Sequence, residues 1–572
     1  MASADGPLFL GLDLSTQQLK GVVVDGRRCV VDEVSMALDE RFPAYGTASG
    51  RHVRGDVATA PVLMWVEAID ALMAELAARG LAGRIHGISG AVQQHGSVYW
   101  RACGVEEVGR LDPGQPLKAQ LLDAFAVADS PTWEDSSTGP QCRELEQAAG
   151  GAAVLARVSG SVAFERFTGA QIAKVKQTRP AAWKDTARIS LVSSFAASLL
   201  VGDVAPVDCG DASGTNIYDV QRQAWSQGLC DAIDPRLVDM LGARVVPADA
   251  VVGTLSPYFV RRYGFAPCLV TAFTGDNPSA FAGFESLFAA TGHPAAIVSL
   301  GTSDTLLFPL DTYPYATDAA LSSAMHYRDG HVLQHPTAPG RFIAMMCYKN
   351  GSLAREWVRG HCLPAGPAAT WADFDKAAGA EPMAPAAFGF YYLSTEILPR
   401  ASGVHRFVRC TDGPVVCPGG GRYRSVDSFD GTGAGSDARA IIESQALSMR
   451  LDFARKSPAM PASVAVTGGA ASNPVLVQTL ADVLGVSVYA AGVQSPGGFV
   501  RKTPAMPAYG GAVRAQQQQR PAGAGGEPEL GSGRYELRRI CSPCERRHAV
   551  YTRALADFEF LRSHVSAQQS GP

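Results

Sequence analysis

Two segments nearly 290 residues apart follow one plan, and that recurrence limits the folds open to this chain more than any other feature. LFLGLDLSTQQLKGVVVD (residues 8–25) and AIVSLGTSDTLLFPLD (residues 296–311) each run from an apolar strand through a short polar turn into a second apolar strand. Two such hairpins, one opening each half of a 572-residue chain, point to a duplicated α/β lobe with a cleft between the copies. Any two β-hairpins share part of this outline, so other segments must carry the rest of the argument. Sixty Gly and 36 Pro imply many turns between short elements and exclude a coiled coil or long helical rod. With 50 Lys+Arg against 54 Asp+Glu, the net charge of −4 excludes a general electrostatic grip on nucleic acid. An anion handled here must meet a local device, such as a glycine turn or a helix N-terminus.

The first element read from the pattern is a buried strand over Leu8–Leu14, followed by the turn Ser15-Thr16-Gln17-Gln18 and a strand over Gly21–Val24. Apolar positions at three-to-four spacing predict an amphipathic helix over 57–79. Ile85–Ala91 reads as a strand ending in Gln93-Gln94-His95-Gly96. Ser463–Thr467 reads as a strand closed by Gly468-Gly469, with a helix over Pro474–Leu484 capped by Asn473 and carrying Pro474 at its first position. The most apolar run, Ile189–Val201, holds four serines and is too short to cross a membrane. The opening MASADGPLFLGLD reads as neither a signal nor a transit peptide, and twelve scattered cysteines fit a reducing cytoplasm. Cys541 and Cys544 form one CxxC near His548 that lacks a second pair, and it reads as an exposed tail. RKSPAMPA (455–462) recurs as RKTPAMPA (501–508) with no arrangement suited to chemistry, and 516–529 is a low-complexity loop.

Several groups suit chemistry. Ser15-Thr16-Gln17 and Gly301-Thr302-Ser303 are candidate phosphate nests, or ordinary strand-end turns. Asp13 and Asp304 flank them and suit a hydrated Mg²⁺, and Lys20 suits the charge on a transferred group. Asp276, in Thr274-Gly275-Asp276-Asn277-Pro278, is either a helix cap or the carboxylate that accepts a hydroxyl proton. Gln94-His95, Arg166 and Asp276-Asn277 offer the planar hydrogen-bonding groups that grip vicinal hydroxyls. Gly468-Gly469 admits a ligand close to the backbone, or is merely a tight strand–helix turn; it is not a GxGxxG dinucleotide motif.

In this order the motifs resemble the FGGY family of carbohydrate kinases. The likeness rests on GLDLSTQQLKGVVVD (11–25), SPTWEDSSTGPQC (130–142), FERFTGAQIAK (164–174), DCGDASGTNIYDV (208–220), FTGDNPSA (273–280), SLGTSDT (299–305) and TGGAASN (467–473). The resemblance implies an α/β fold of two actin-like, ribonuclease-H-like lobes around a central cleft: 1–285, then 286–515, with 516–572 a loop and a last helix. It implies ATP-dependent phosphorylation of D-xylulose, with ribulose, sedoheptulose or gluconate as alternative sugars. A non-catalytic ATP-binding module is the rival from another class. It implies ATP and Mg²⁺ in the cleft, no nucleic-acid or membrane partner, and a monomer or homodimer. By match, Asp276 is the general base, and His95, Arg166, Asp276 and Asn277 bind the sugar. Asp13, Thr16, Lys20, Gly301, Thr302, Ser303, Trp371, Gly468, Gly469 and Asn473 bind ATP, with Asp13 toward the metal. Glu134, residues 490–506 and the tail depart from the family pattern.

Overall fold

Strand β1 (Leu8–Leu14) is buried at every position, which is why its sequence shows no polar alternation: both faces of its sheet are covered. It pairs antiparallel with β2 (Gln18–Asp25), which pairs antiparallel with β3 (Val30–Ala37). On its other side β1 runs parallel to β4 (Ile85–Val92), which runs parallel to β5 (Leu269–Thr271) and then to its short continuation β6 (Thr274–Gly275). The computed structural model describes residues 6–288, 295–317, 325–379, 381–433, 435–495, 498–501, 505–519 and 535–568.

The second sheet repeats this plan. Strand β7 (Ala295–Leu300) pairs antiparallel with β8 (Asp304–Leu310), and β8 with β10 (Phe342–Tyr348), which also holds the edge strand β9 (His331–Gln334). On the other side β7 runs parallel to β11 (Ser463–Thr467), and β11 to β12 (Ser487–Ser495). Both sheets thus carry three antiparallel strands joined to two parallel ones in the same order, the duplicated lobe that the paired hairpins point to and the actin-like arrangement that the family resemblance implies.

The helix expected over 57–79 is shorter than the periodicity predicted. Val57–Pro61 is instead a strand, paired with His52–Arg54 and Asp129–Pro131, and the helix runs only over Val62–Ala78. Pro61 explains the break, because its ring disfavours helical backbone in the residue before it. The helix predicted over Pro474–Leu484 forms as expected, with the Asn473 side chain accepting from the Leu476 N–H at 2.8 Å.

Chain order and lobe part company near the end. Helix Met506–Gln517 follows the second sheet yet lies on β1 and β4 of the first, beside helix Asp276–Phe288. Glycines permit the contact: a Cβ at Gly11 would stand 1.8 Å from the Ala508 carbonyl oxygen, and one at Gly510 would stand 2.1 Å from that of Ser279. Gly11→Ala is therefore expected to cost on the order of 3 kcal/mol through overpacking. A lower urea midpoint for it than for Gly26→Ala, whose Cβ would meet nothing within 4 Å, checks this.

The tail is part of the body. Helix Glu545–Ala567 buries Arg562, whose two nitrogens bond Asp452 at 3.0 and 2.5 Å. The CxxC expected to be exposed is half-buried: Cys541 donates to the Val477 carbonyl and the Cys544 N–H donates to Asp482. Among the described residues no cluster of three or more His, Cys, Asp or Glu could hold a metal ion, and no helix is long and apolar enough to cross a membrane. The two RK(S/T)PAMPA copies differ in structure. In the first, Arg455 bonds Asp329 and Glu559; in the second, Met506 opens a helix and is buried. Residues 502–504 and most of the low-complexity stretch lie outside the described residues.

Candidate active site

The carboxyl ends of the parallel strands in the first sheet gather the acidic residues, as open α/β sheets dispose their ligand sites. Asp13 on β1 stands opposite Ala91 of β4, and Ala91 stands opposite Thr274 of the short strand Thr274–Gly275 that leads into Asp276. Asp276 opens the helix Asp276–Phe288, so it is a helix-start residue as well as a candidate base. Its Oδ1 accepts from the Asn277 N–H at 2.8 Å and from Asn277 Nδ2 at 2.9 Å. Asn277 Nδ2 also donates to Gln94 Oε1 at 3.1 Å. A Cβ at Gly275 would lie 2.5 Å from the Gln94 side chain, so glycine there lets the two strand ends meet.

Electrostatics sets these carboxylates apart from ordinary ones. Burial raises Asp276 to about 6, against the pull of its Asn277 bonds. Burial, then repulsion from Asp276, raises Asp13 to about 7, with Lys20 pulling the other way. Asp13 is 4% exposed, and its Oδ1 is buried without a hydrogen-bond partner. Behind them Asp208 is raised to about 6 by burial, and Asp211 is raised by burial and by the charges of Asp208 and Asp276. A buried, mutually repelling pair with an orphaned oxygen fits a divalent cation, which would relieve both charges.

His95 sits in left-handed backbone (φ 73°) and stacks on Phe167 with ring centroids 4.5 Å apart. Its Nδ1 lies 2.9 Å from the Gly214 carbonyl oxygen, which fixes the proton there and leaves Nε2 as an acceptor. Burial, reinforced by Arg166, lowers its pKa to about 3, so the ring is neutral at physiological pH.

One cavity of about 650 Å³ brings these groups together with the second lobe. Gln94, His95, Arg166, Asp276 and Asn277 line one side, and Thr302, Ser303 and Thr305 line the other. Gly301 adjoins that nest, and its carbonyl accepts from the Ser352 N–H at 2.8 Å. The first loop reaches the cavity indirectly. Thr16 Oγ1 accepts from Nε1 of Trp133, a cavity-lining residue, at 2.9 Å, and Lys20 pairs with Asp13 across the hairpin. Gly468 (φ 87°) abuts Leu300, since a Cβ there would stand 2.4 Å from the Leu300 carbonyl oxygen, whereas Gly469 faces open space. The second nest and the Gly-Gly turn are thus neighbours.

Other expected residues are occupied elsewhere. Asp304 does not face a metal: Arg355 grips both its oxygens at 2.8 and 3.1 Å, a buried ion pair that leaves it no free charge. Asn473 bonds Asp375 through Nδ2 at 2.6 Å, while its Oδ1 caps the helix Pro474–Leu484. Trp371, on the same short helix as Asp375, is 42% exposed with the Arg359 guanidinium over its ring. Glu134 lines the cavity and is ion-paired with Arg51.

Part of the site has no sequence signal. The far wall includes Cys347, Lys349, Ser394 and Thr395, and the loop there is stapled by Glu396, which accepts from the Lys349 and Asn350 N–H groups at 2.6 and 3.0 Å. His331, 2.9 Å from Arg166, comes from an unremarkable apolar strand.

Residues 126–283 match the N-terminal domain of the FGGY family of carbohydrate kinases, and residues 296–499 match its C-terminal domain. Xylulose kinase of Mus musculus is 41% identical over 487 residues, 84% of this chain and 82% of that protein. Xylulose kinase 2 of Arabidopsis thaliana is 39% identical over 498 residues, 86% and 84% of the two chains. Among solved structures, xylulose kinase from Rhodospirillum rubrum matches with a TM-score of 0.74 at 18% identity, over 98% of this chain and 99% of that one. Gluconate kinase from Lactobacillus acidophilus matches with the same TM-score at 16% identity, over 98% and 99%. One backbone thus serves two sugars, so the fold alone does not choose between them. Topology, motif order and sequence identity agree over both lobes: the chain belongs to the FGGY family of carbohydrate kinases.

Proposed function

We propose that this chain transfers the γ-phosphoryl group of ATP to the terminal hydroxyl of D-xylulose, giving D-xylulose 5-phosphate. The observation that carries the reaction class is the meeting of Asp276 with Thr302 and Ser303 in one cavity. A proton acceptor and a phosphate nest are the two parts that phosphoryl transfer to an alcohol requires. The choice of sugar is supported by relatives near 40% identity that are named xylulose kinases.

In this reading His95 Nε2, Arg166 and Asn277 hold the ketose hydroxyls, and Asp276 takes the proton of the attacking hydroxyl. Thr302 and Ser303 cradle phosphate oxygens. Gly301 allows the close turn, and Gly468 and Gly469 leave room for the nucleoside beside Trp371 and Asn473. Thr16 and Lys20 approach the phosphates from the first lobe. Asp13 would hold Mg²⁺, which when bound offsets phosphate charge. We place this chemistry in the cytoplasm, the reducing compartment that twelve scattered cysteines suit.

A panel of D-xylulose, D-ribulose, sedoheptulose and gluconate, assayed by ADP release, tests the assignment. The expected result is a kcat/KM for D-xylulose at least about tenfold above the others. A preference for gluconate would overturn it.

A further inference from the structure

We propose that His331, delivered from the second lobe, is the positioning residue that fixes the Arg166 guanidinium for the sugar; this rests on the reading of Arg166 as a sugar contact. His331 begins the edge strand β9, which is buried along its whole length because sugar-side segments of the first half dock on it. The Val332 N–H donates to the Gly160 carbonyl at 2.9 Å, the Gln334 N–H donates to Ser213 Oγ at 3.0 Å, and the Tyr218 hydroxyl donates to Gln334 Oε1 at 2.7 Å. The strand is therefore a fixed platform against the loop that carries Arg166.

The bonding around the ring determines its tautomer. Ser161 Oγ gives its proton to the Val162 carbonyl at 2.7 Å, so it can only accept from His331 Nδ1, 3.2 Å away. The proton on Nδ1 leaves the Nε2 lone pair facing Arg166 Nη2 at 2.9 Å. Phe164 and Phe167 enclose the imidazole, with centroids 4.7 and 5.0 Å away, and Phe164 also lies under the guanidinium at 5.5 Å. Burial, then the Arg166 charge, keeps the ring neutral.

A neutral acceptor suits this task better than a carboxylate. It fixes one N–H of the guanidinium and removes rotamer freedom, yet leaves the full positive charge and the other donors for sugar oxygens. Because the acceptor belongs to the opposite lobe, Arg166 is seated for the ketose only when the lobes are arranged as they are here.

Steady-state kinetics of His331→Ala, His331→Gln, Arg166→Ala and the double variant test this. His331→Ala is expected to raise the KM for D-xylulose about ten- to hundredfold, the range for a hydrogen bond to a charged group. Its KM for ATP and its kcat should stay within about threefold. His331→Gln, whose Oε1 can accept from Arg166, should recover most of the loss, and Arg166→Ala/His331→Ala should be no worse than Arg166→Ala alone. Additive losses in the double variant, or a folded Gln variant that loses kcat and ATP affinity in parallel, would overturn the proposal. An unchanged sugar KM in Arg166→Ala would overturn the assignment of Arg166 itself, and the proposal with it.

Discussion

Asp276→Asn should lower kcat for D-xylulose phosphorylation by roughly 10²- to 10⁴-fold, with the KM for the sugar near that of the wild type. Asn is nearly isosteric and can still accept from the Asn277 N–H, so the helix start and the bond to Gln94 through Asn277 survive. What it cannot do is take the hydroxyl proton. The pH profile separates this from a binding defect. A base must be unprotonated to act, so wild-type kcat/KM should fall as pH drops through about 6, the value to which burial raises Asp276. The residual activity of the Asn variant should lack the Asp276 step in that limb. Near-wild-type turnover in a folded Asp276→Asn protein would remove the base from the account.

Asp13→Asn is expected to lose magnesium-supported turnover, by roughly a hundredfold or more, while making the protein more stable above neutral pH. An Asp carboxyl titrates near 3.8 when unperturbed, and in this fold Asp13 is raised to about 7. The folded protein therefore binds this proton more tightly than the unfolded chain does. Its contribution to stability is complete below about pH 4 and is lost as pH rises from there through 7, a change of roughly 4 kcal/mol. Asn keeps the neutral form at every pH, so the gap between variant and wild type should open from about pH 4 to pH 7 in urea denaturation and stay level above that. Asp276 shifts in the same direction, so the variant should keep part of the decline. In the wild type, Mg²⁺ must displace the Asp13 proton, and its affinity should weaken about fivefold from pH 7 to pH 6. A pH-independent magnesium affinity would place the ion elsewhere.

The parts of this fold that were legible in the sequence are those whose causes are local. Leu8–Leu14 and Ser463–Thr467 form strands because both are short apolar runs that end in turn residues, and Asn473-Pro474 writes a helix start into two positions. The hairpin echo could be read because each copy is contiguous, and it gave the two lobes before any pairing was known. Where a local pattern served two structures, the reading failed: Val57–Ala78 keeps helical spacing throughout, yet Pro61 and a pairing with residues near 130 make its start a strand. Asp304 looked like a metal ligand from its place in the turn. The residue that claims its charge, Arg355, lies 51 positions away on the helix Ser352–His361.

The same limit divides the site. Asp276, Asn277, His95 and Thr302 announce themselves in strand-end motifs, and the fold brings them to one cavity. Their supports come from far along the chain and from ordinary-looking segments. His331 stands 165 residues from Arg166, and Glu396 stands 47 from the Lys349 backbone it holds. Spacing in a sequence carries no information about such pairs, because they meet only through the packing of the two lobes.

The most direct test of the central claim is the rate of ADP formation by the purified protein with Mg²⁺ and ATP, measured with and without D-xylulose while ³¹P NMR follows the product. The account predicts ADP release that depends on D-xylulose and matches, mole for mole, the appearance of D-xylulose 5-phosphate. ATP that is bound, or hydrolysed at the same rate whether or not the sugar is present, would contradict it.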